Sequence, residues 1–234
     1  MSEKHLSSQF DSDLNNISSQ LMEMGGLVET QIQRAIQALA RFSVALAEEV
    51  MHAEDRVDVM EIAIDHALTS VIARRQPAAR DLRLLLAISK ITTNLERVGD
   101  EANKIARMVK SIVEHGEARK MPIGDLRLAS DLAAGLIRRA LDAFARLDVN
   151  AAVTILKEDD MIDCEFKGFT RKLITYMMED PRTISDSLDL LFLAKAIERI
   201  GDHAKNIAEF IIYIVKGTDV RHSSLPQIES ALQN

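Results

Sequence analysis

Apolar positions step by three and four over long stretches of the chain, the period of an amphipathic helix packed in a bundle. Ile88, Ile91, Leu95, Val98, Ala102, Ile105, Val109 and Ile112 form one seam, and Leu190, Leu193, Ile197, Ile200, Ala204, Ile207, Ile211 and Ile214 repeat its frame. Val50, Ala53, Val57, Met60, Ile64, Ala67 and Val71 give a third, and Ile155, Ile162, Phe169 and Tyr176 mark a fourth at whole heptads. The interruptions between seams predict six helices. The first covers about residues 6 to 41, and Ser43 caps a second that runs to about residue 74. "RRQPAARD" is the next break, with Pro77 opening a third helix that runs to the "HG" at 115–116. The linker "EARKMPIGD" (117–125) follows, then a helix after Pro122 and another capped by Asp148. "EDPRTISDS" (179–187) breaks the chain again, and the last helix stops at Lys216-Gly217.

The halves are copies of one another. "NLERVGDEANKIAR" (94–107) returns as "AIERIGDHAKNIAE" (196–209), 102 positions on. "LARFS" (39–43) returns as "FARLD" (144–148) and "EDRVD" (54–58) as "DDMID" (159–163), both 105 positions on, so the second copy is three residues shorter around its proline turn. The pattern predicts an all-α fold of two pseudo-symmetric three-helix bundles, residues 1–116 and 122–217, joined end to end or side by side. Residues 218–234 are polar and predict a disordered tail.

Composition supports this and narrows the function. With 4% aromatic residues, no Trp, 9 Gly and 4 Pro in 234 residues, the chain suits helix packing better than an all-β fold. A net charge of −7 argues against a nucleic-acid binder, which needs a basic footprint. The single cysteine, Cys164, excludes an internal disulfide and a cysteine zinc site, and reads as a small buried hydrophobe in a reducing cytoplasm. No apolar run approaches the ~18 residues of a membrane span, and the N-terminus has no secretory signal pattern.

Candidate chemistry lies in carboxylates spaced four apart, which share a helix face. Glu54/Asp58, Glu96/Asp100, Asp159/Asp163 and Glu198/Asp202 put one such pair on each of helices two, three, five and six. Folding each hairpin at Pro77 or Asp180-Pro181 brings its two pairs level. Each copy is then predicted to hold a square of carboxylates, facing outward opposite the apolar seams. Four close carboxylates repel unless compensated, and Arg97 and Arg199 are read as too few and pointing elsewhere. An all-oxygen set suits a hard cation such as Mg, Mn, Ca or iron better than Zn. A solvated acidic face is the plainer alternative. Gly99 and Gly201 cost helix stability (about 1 kcal/mol each), which an open metal face or a close helix crossing would explain. His203 reads as a polar surface residue, and Asn103 and Asn206 as groups near the acidic stripe. Arg74, Arg75, Arg80 and Arg83 read as helix-end charge or an anion contact. No phosphate loop, nucleophile motif or Glu-x-x-His pair is present, so catalysis is not indicated.

"RRQPAARDLR" and the doubled Glu-Arg-x-Gly-Asp phrase resemble the PhoU family of phosphate-uptake regulators, over about residues 6 to 217. The resemblance implies two three-helix bundles and multinuclear metal sites on the Glu/Asp-x-x-x-Asp pairs, which map onto the eight carboxylates above. With the all-oxygen donor set, divalent iron, Mn or Mg are the metals expected there. Phe166 and Thr170 stand where the first copy has Glu61 and Asp65, which implies a smaller or weaker second site. The family further implies a cytoplasmic, non-enzymatic negative regulator of the phosphate regulon. Such a regulator is a homodimer that links the Pst ABC transporter ATPase to a PhoR-type sensor histidine kinase and meets the membrane only through partners. A metal-free helical adaptor and a carboxylate-bridged metalloenzyme are the alternatives.

Overall fold

The computed structural model describes residues 8–77, 79–114 and 123–233. Its helices are α1 (Ser8–Arg41), α2 (Val44–Arg75), α3 (Ala79–Glu114), α4 (Arg127–Arg146), α5 (Val149–Glu179), α6 (Ile184–Lys216) and α7 (Leu225–Gln233). Short 3-10 turns at Ile123–Leu126 and Pro181–Thr183 lead into α4 and α6.

The helix ends follow local chemistry. Ser43 accepts from the Leu46 amide at 3.4 Å and Asp148 from the Ala151 amide at 3.0 Å, so both predicted N-caps form. The residue before each cap is left-handed, Phe42 at φ 48° and Leu147 at φ 50°. Each corner also sends the cap residue's amide back to an alanine carbonyl, Ala38 or Ala143. The duplication thus reaches the backbone torsions of the turns. Pro77 precedes α3 by two residues, and Gln76, left-handed, ends α2 by donating to Ile72 O. His115, Gly116 and Pro122 lie outside the described residues.

Both predicted seams of α3 and α6 are buried throughout, and the helices share one contiguous apolar core. Each buried Leu or Ile contributes about 1.5–3 kcal/mol. Bundles α1–α3 and α4–α6 lie side by side, with α3 and α6 in contact at the centre. Those two helices run antiparallel: Asn94 meets His203 and Asn206, whereas Glu101 meets Arg199. A second contact between the halves is α1 on α4, where Gly25 faces Leu141.

Two expectations need correction here. The described part of the 218–234 segment is not a loose tail: Val220 and Ile228 are buried, α7 packs on α5, and Glu229 pairs with Lys157. Two apolar residues eight apart suffice to dock a polar-looking segment. Cys164 is exposed, because α5 turns that position away from α6. Among the described residues, no helix is long and apolar enough to cross a membrane.

Candidate functional site

The four carboxylate pairs do meet across their hairpins. In the first repeat Glu54 of α2 is hydrogen-bonded to Asp100 of α3, and Asp58 lies close enough to act on both Glu54 and Glu96. The cluster extends along α2: Thr93 donates to Glu61 at 3.3 Å and Ser89 to Asp65 at 3.3 Å. In the second repeat Asp163, Glu198 and Asp202 each place a carboxylate oxygen within 4.8 Å of the others. Asp159 sits beside them, near enough to act on Asp202.

These groups do not simply face outward. Asp159 and Glu198 are buried, Glu54, Glu96, Asp100, Asp163 and Asp202 are half-buried, and only Asp58 is exposed. The reason is tertiary. α3 and α6 each pack on three other helices, so the face opposite one seam is covered by a neighbour. Arg97 is not turned away either: it lies 3.4 Å from Glu96 and 3.6 Å from Asp100. Arg107 reaches Glu54 at 3.9 Å.

The electrostatics follow from this placement. Burial, then the hydrogen bond that the protonated Glu54 carboxyl donates to Asp100, pushes Glu54 up to about 7. Burial, then the charges of Glu198 and Asp159, raises Asp202 to about 6. Glu96 and Glu61 are raised for the same leading reason. In the second repeat the chain supplies its own cations. Lys205 Nζ donates to Asp159 at 3.0 Å, Lys195 Nζ to Glu198 at 2.7 Å, and Lys167 lies 3.7 Å from Asp163.

Gly99 and Gly201 are buried at helix crossings. A Cβ on Gly201 would sit 2.8 Å from Ile162 Cδ1 and 3.5 Å from Asp159 Oδ1. One on Gly99 would sit 3.3 Å from Gln31 Oε1. The close-crossing explanation therefore holds at Gly201, where the missing side chain lets α5 approach α6; at Gly99 an added Cβ would press only on the end of the Gln31 side chain.

His203 is not on the surface. It is half-buried against α3, within hydrogen-bond distance of Asn94 Oδ1 at 2.9 Å, with Asn206 donating to the same oxygen at 3.0 Å. Burial, then the charge of Arg199, lowers it to about 4. Beside it Glu101, 2% exposed, is held by Lys104 at 2.8 Å and by Arg199 at 3.2 Å. Arg75 of the arginine group pairs with Asp13, and Arg74 donates to Ser70 O. Sequence reasoning missed Glu101, Lys195 and Lys205. The only trace was in the repeat alignment, where Lys195 and Lys205 replace Thr93 and Asn103.

A pH dependence follows. Glu54 and Glu209 titrate near 7 and Asp202 near 6 in the folded chain, against ordinary values of 4.5, 4.5 and 3.8. Across that interval the folded state holds protons that the unfolded state has released, so stability falls as pH rises. His203 acts oppositely, favouring the fold as pH rises from about 4 to 6.5. With three carboxylates against one imidazole, chelator-treated protein should melt a few degrees higher at about pH 5.5 than at about pH 8. Equal midpoints, or a higher one at the alkaline pH, would contradict this.

A family model described as the PhoU domain matches residues 21–109 and again residues 126–211. The chain belongs to the PhoU family. A PhoU homolog from Burkholderia sp, named a phosphate-specific transport system accessory protein, is 52% identical to this PhoU-family chain over 97% of both. The accessory protein PhoU of Escherichia coli (strain K12) is 44% identical over 98% of this chain and 94% of its own. The crystal structure of PhoU from Pseudomonas aeruginosa superposes with a TM-score of 0.86 at 44% identity, covering 89% of this chain and all of that one. A phosphate transport system regulatory protein PhoU from Streptococcus pneumoniae gives 0.83 at 25% identity, covering 90% and 99%. The doubled three-helix architecture of this PhoU-family chain is therefore the one its sequence pattern and its family resemblance both predict.

Proposed function

We propose that this protein is a cytoplasmic, non-enzymatic accessory protein of phosphate uptake. In this reading it is a negative regulator of the phosphate regulon, linking the Pst transporter ATPase to a PhoR-type sensor histidine kinase. The carrying observation is the doubled PhoU domain, matched along nearly the whole chain by relatives named for the phosphate-specific transport system. The names accessory and regulatory support a binding role over a catalytic one. Deleting the gene should derepress alkaline phosphatase in high phosphate, and the wild-type gene should restore repression. Repression that persists after deletion, with no second copy of the gene, would refute the reading.

Metal binding is part of the proposal. The residues fit a hard divalent cation (iron, Mn or Mg): the donors are all oxygen, and burial raises Glu54 and Glu96 even with Arg107 and Arg97 beside them. Glu54, Asp58, Glu96 and Asp100 would hold it in the first repeat, and Asp159, Asp163, Glu198 and Asp202 in the second. A cation there would replace proton sharing such as that between Glu54 and Asp100, and would tie α2 to α3 and α5 to α6. Metal content and metal-titrated melting test this against a Glu96→Gln, Asp100→Asn, Glu198→Gln, Asp202→Asn variant. A cation at 100 times its Kd should add about 2.7 kcal/mol to the wild type and nothing to the variant. Identical curves would leave a metal-free adaptor.

A further inference from the structure

The two clusters are repeats in sequence but not in charge. In the second, Lys205 donates to Asp159 at 3.0 Å and Lys195 to Glu198 at 2.7 Å. Lys195 is steadied further, with its Nζ 5.3 Å over the ring of Phe166. Lys167 near Asp163 adds a third cation. These charges allow Asp163, Glu198 and Asp202 to converge within 4.8 Å.

In the first repeat the matching positions are Thr93 and Asn103, and neither carries charge. Asn103 is 2% exposed and lies three residues beyond Asp100, on the face of α3 that carries Glu96 and Asp100. It occupies the position from which Lys205 reaches Asp159, whose counterpart is Glu54. Its Oδ1 accepts no hydrogen bond from any described residue. A buried amide oxygen without a donor is costly, and one on the helix face of a carboxylate cluster is relieved by a cation rather than by another acceptor. The cations on this side are Arg97 and Arg107, 3.4 to 3.9 Å from their carboxylates and more than half exposed.

We propose that Lys195 and Lys205 substitute for a divalent cation in the second repeat, so that cation binding is confined to the first, where Asn103 Oδ1 joins Glu54, Asp58, Glu96 and Asp100. The inference rests on the metal-binding reading above and narrows it. A tethered ammonium is always present at high effective concentration. A divalent ion entering the second cluster must displace two such groups and then sit beside them, against like-charge repulsion.

The test is Mn2+ stoichiometry of the full chain by equilibrium dialysis, after chelation, with circular dichroism to verify folding. Glu96→Gln with Asp100→Asn should abolish Mn2+ uptake. Lys195→Gln with Lys205→Gln should raise uptake above wild type. Adding Glu198→Gln and Asp202→Asn to that lysine variant should remove the increment. Both lysine side chains are about half exposed, so the variant should fold. If the lysine variant gains no ion, or if the first-repeat variant keeps Mn2+, confinement by lysine is wrong while metal binding stands. If wild type takes up no Mn2+, Mg2+ or Fe2+, the metal reading falls and takes this inference with it.

Discussion

Gly25→Ala should destabilise the protein by about 1–2 kcal/mol, while Gly26→Ala, one residue on, should stabilise it by up to about 1 kcal/mol. Alanine favours a helix over glycine at either position by about 1 kcal/mol, so the contrast comes from packing. A Cβ on Gly25 would lie 2.5 Å from Leu141 Cδ2, 3.0 Å from Cδ1 and 3.3 Å from Cγ. The whole end of the leucine is met, so no single methyl can rotate aside, and Leu141 is itself 5% exposed in the core of α4. A Cβ on Gly26 meets nothing within 4 Å. Gly25→Val, which lacks alanine's helical advantage, should cost about 3 kcal/mol. Urea midpoints at constant slope give the comparison directly. Gly25→Ala combined with Leu141→Ala should lose less than the two separately, because the second change removes the clash. Additive losses would mean that α1 and α4 do not cross at this point.

Removing Arg199 should be the other large effect, about 2–3 kcal/mol for Arg199→Met. Glu101 is 2% exposed and holds two cations, Lys104 from its own helix and Arg199 from α6. Losing Arg199 leaves a desolvated carboxylate with one partner and severs one ionic link between the repeats. Lys104→Met should cost less, since the cross-repeat partner stays. Glu101→Gln with Arg199→Met should be milder than the sum of the two changes, because no buried charge is then left unmatched. Thermal or urea unfolding of the four variants decides it. A negligible loss for Arg199→Met would show that Lys104 and solvent satisfy Glu101 alone.

Most helix limits were legible because they are set locally. Ser43 and Asp148 cap through their own side chains, and Gly217 ends α6 in a left-handed turn at φ 75°. The meeting of Glu54 with Asp100, and of Asp163 with Glu198 and Asp202, was also legible. The fixed rise per residue puts positions equidistant from a hairpin turn at one level. The exposure of those groups was not legible. A helical wheel places residues relative to one seam, and it cannot say that α3 and α6 are each packed on several sides. The same gap hid His203 against Asn94 and Glu101 against Arg199, which are contacts between residues about a hundred positions apart.

By itself, then, the sequence determined the helices, their duplication, the hairpin level of each carboxylate cluster and the family. These follow from periodicity, capping and local identity, which act over a few residues. Only the tertiary structure decided that the bundles lie side by side through antiparallel α3 and α6, and that α7 docks on α5. It also decided that the clusters are half-buried and that lysines neutralise one of them while leaving the other to weaker partners. Those outcomes depend on which surfaces meet, and that is fixed by the shape of the whole core and the charges it encloses.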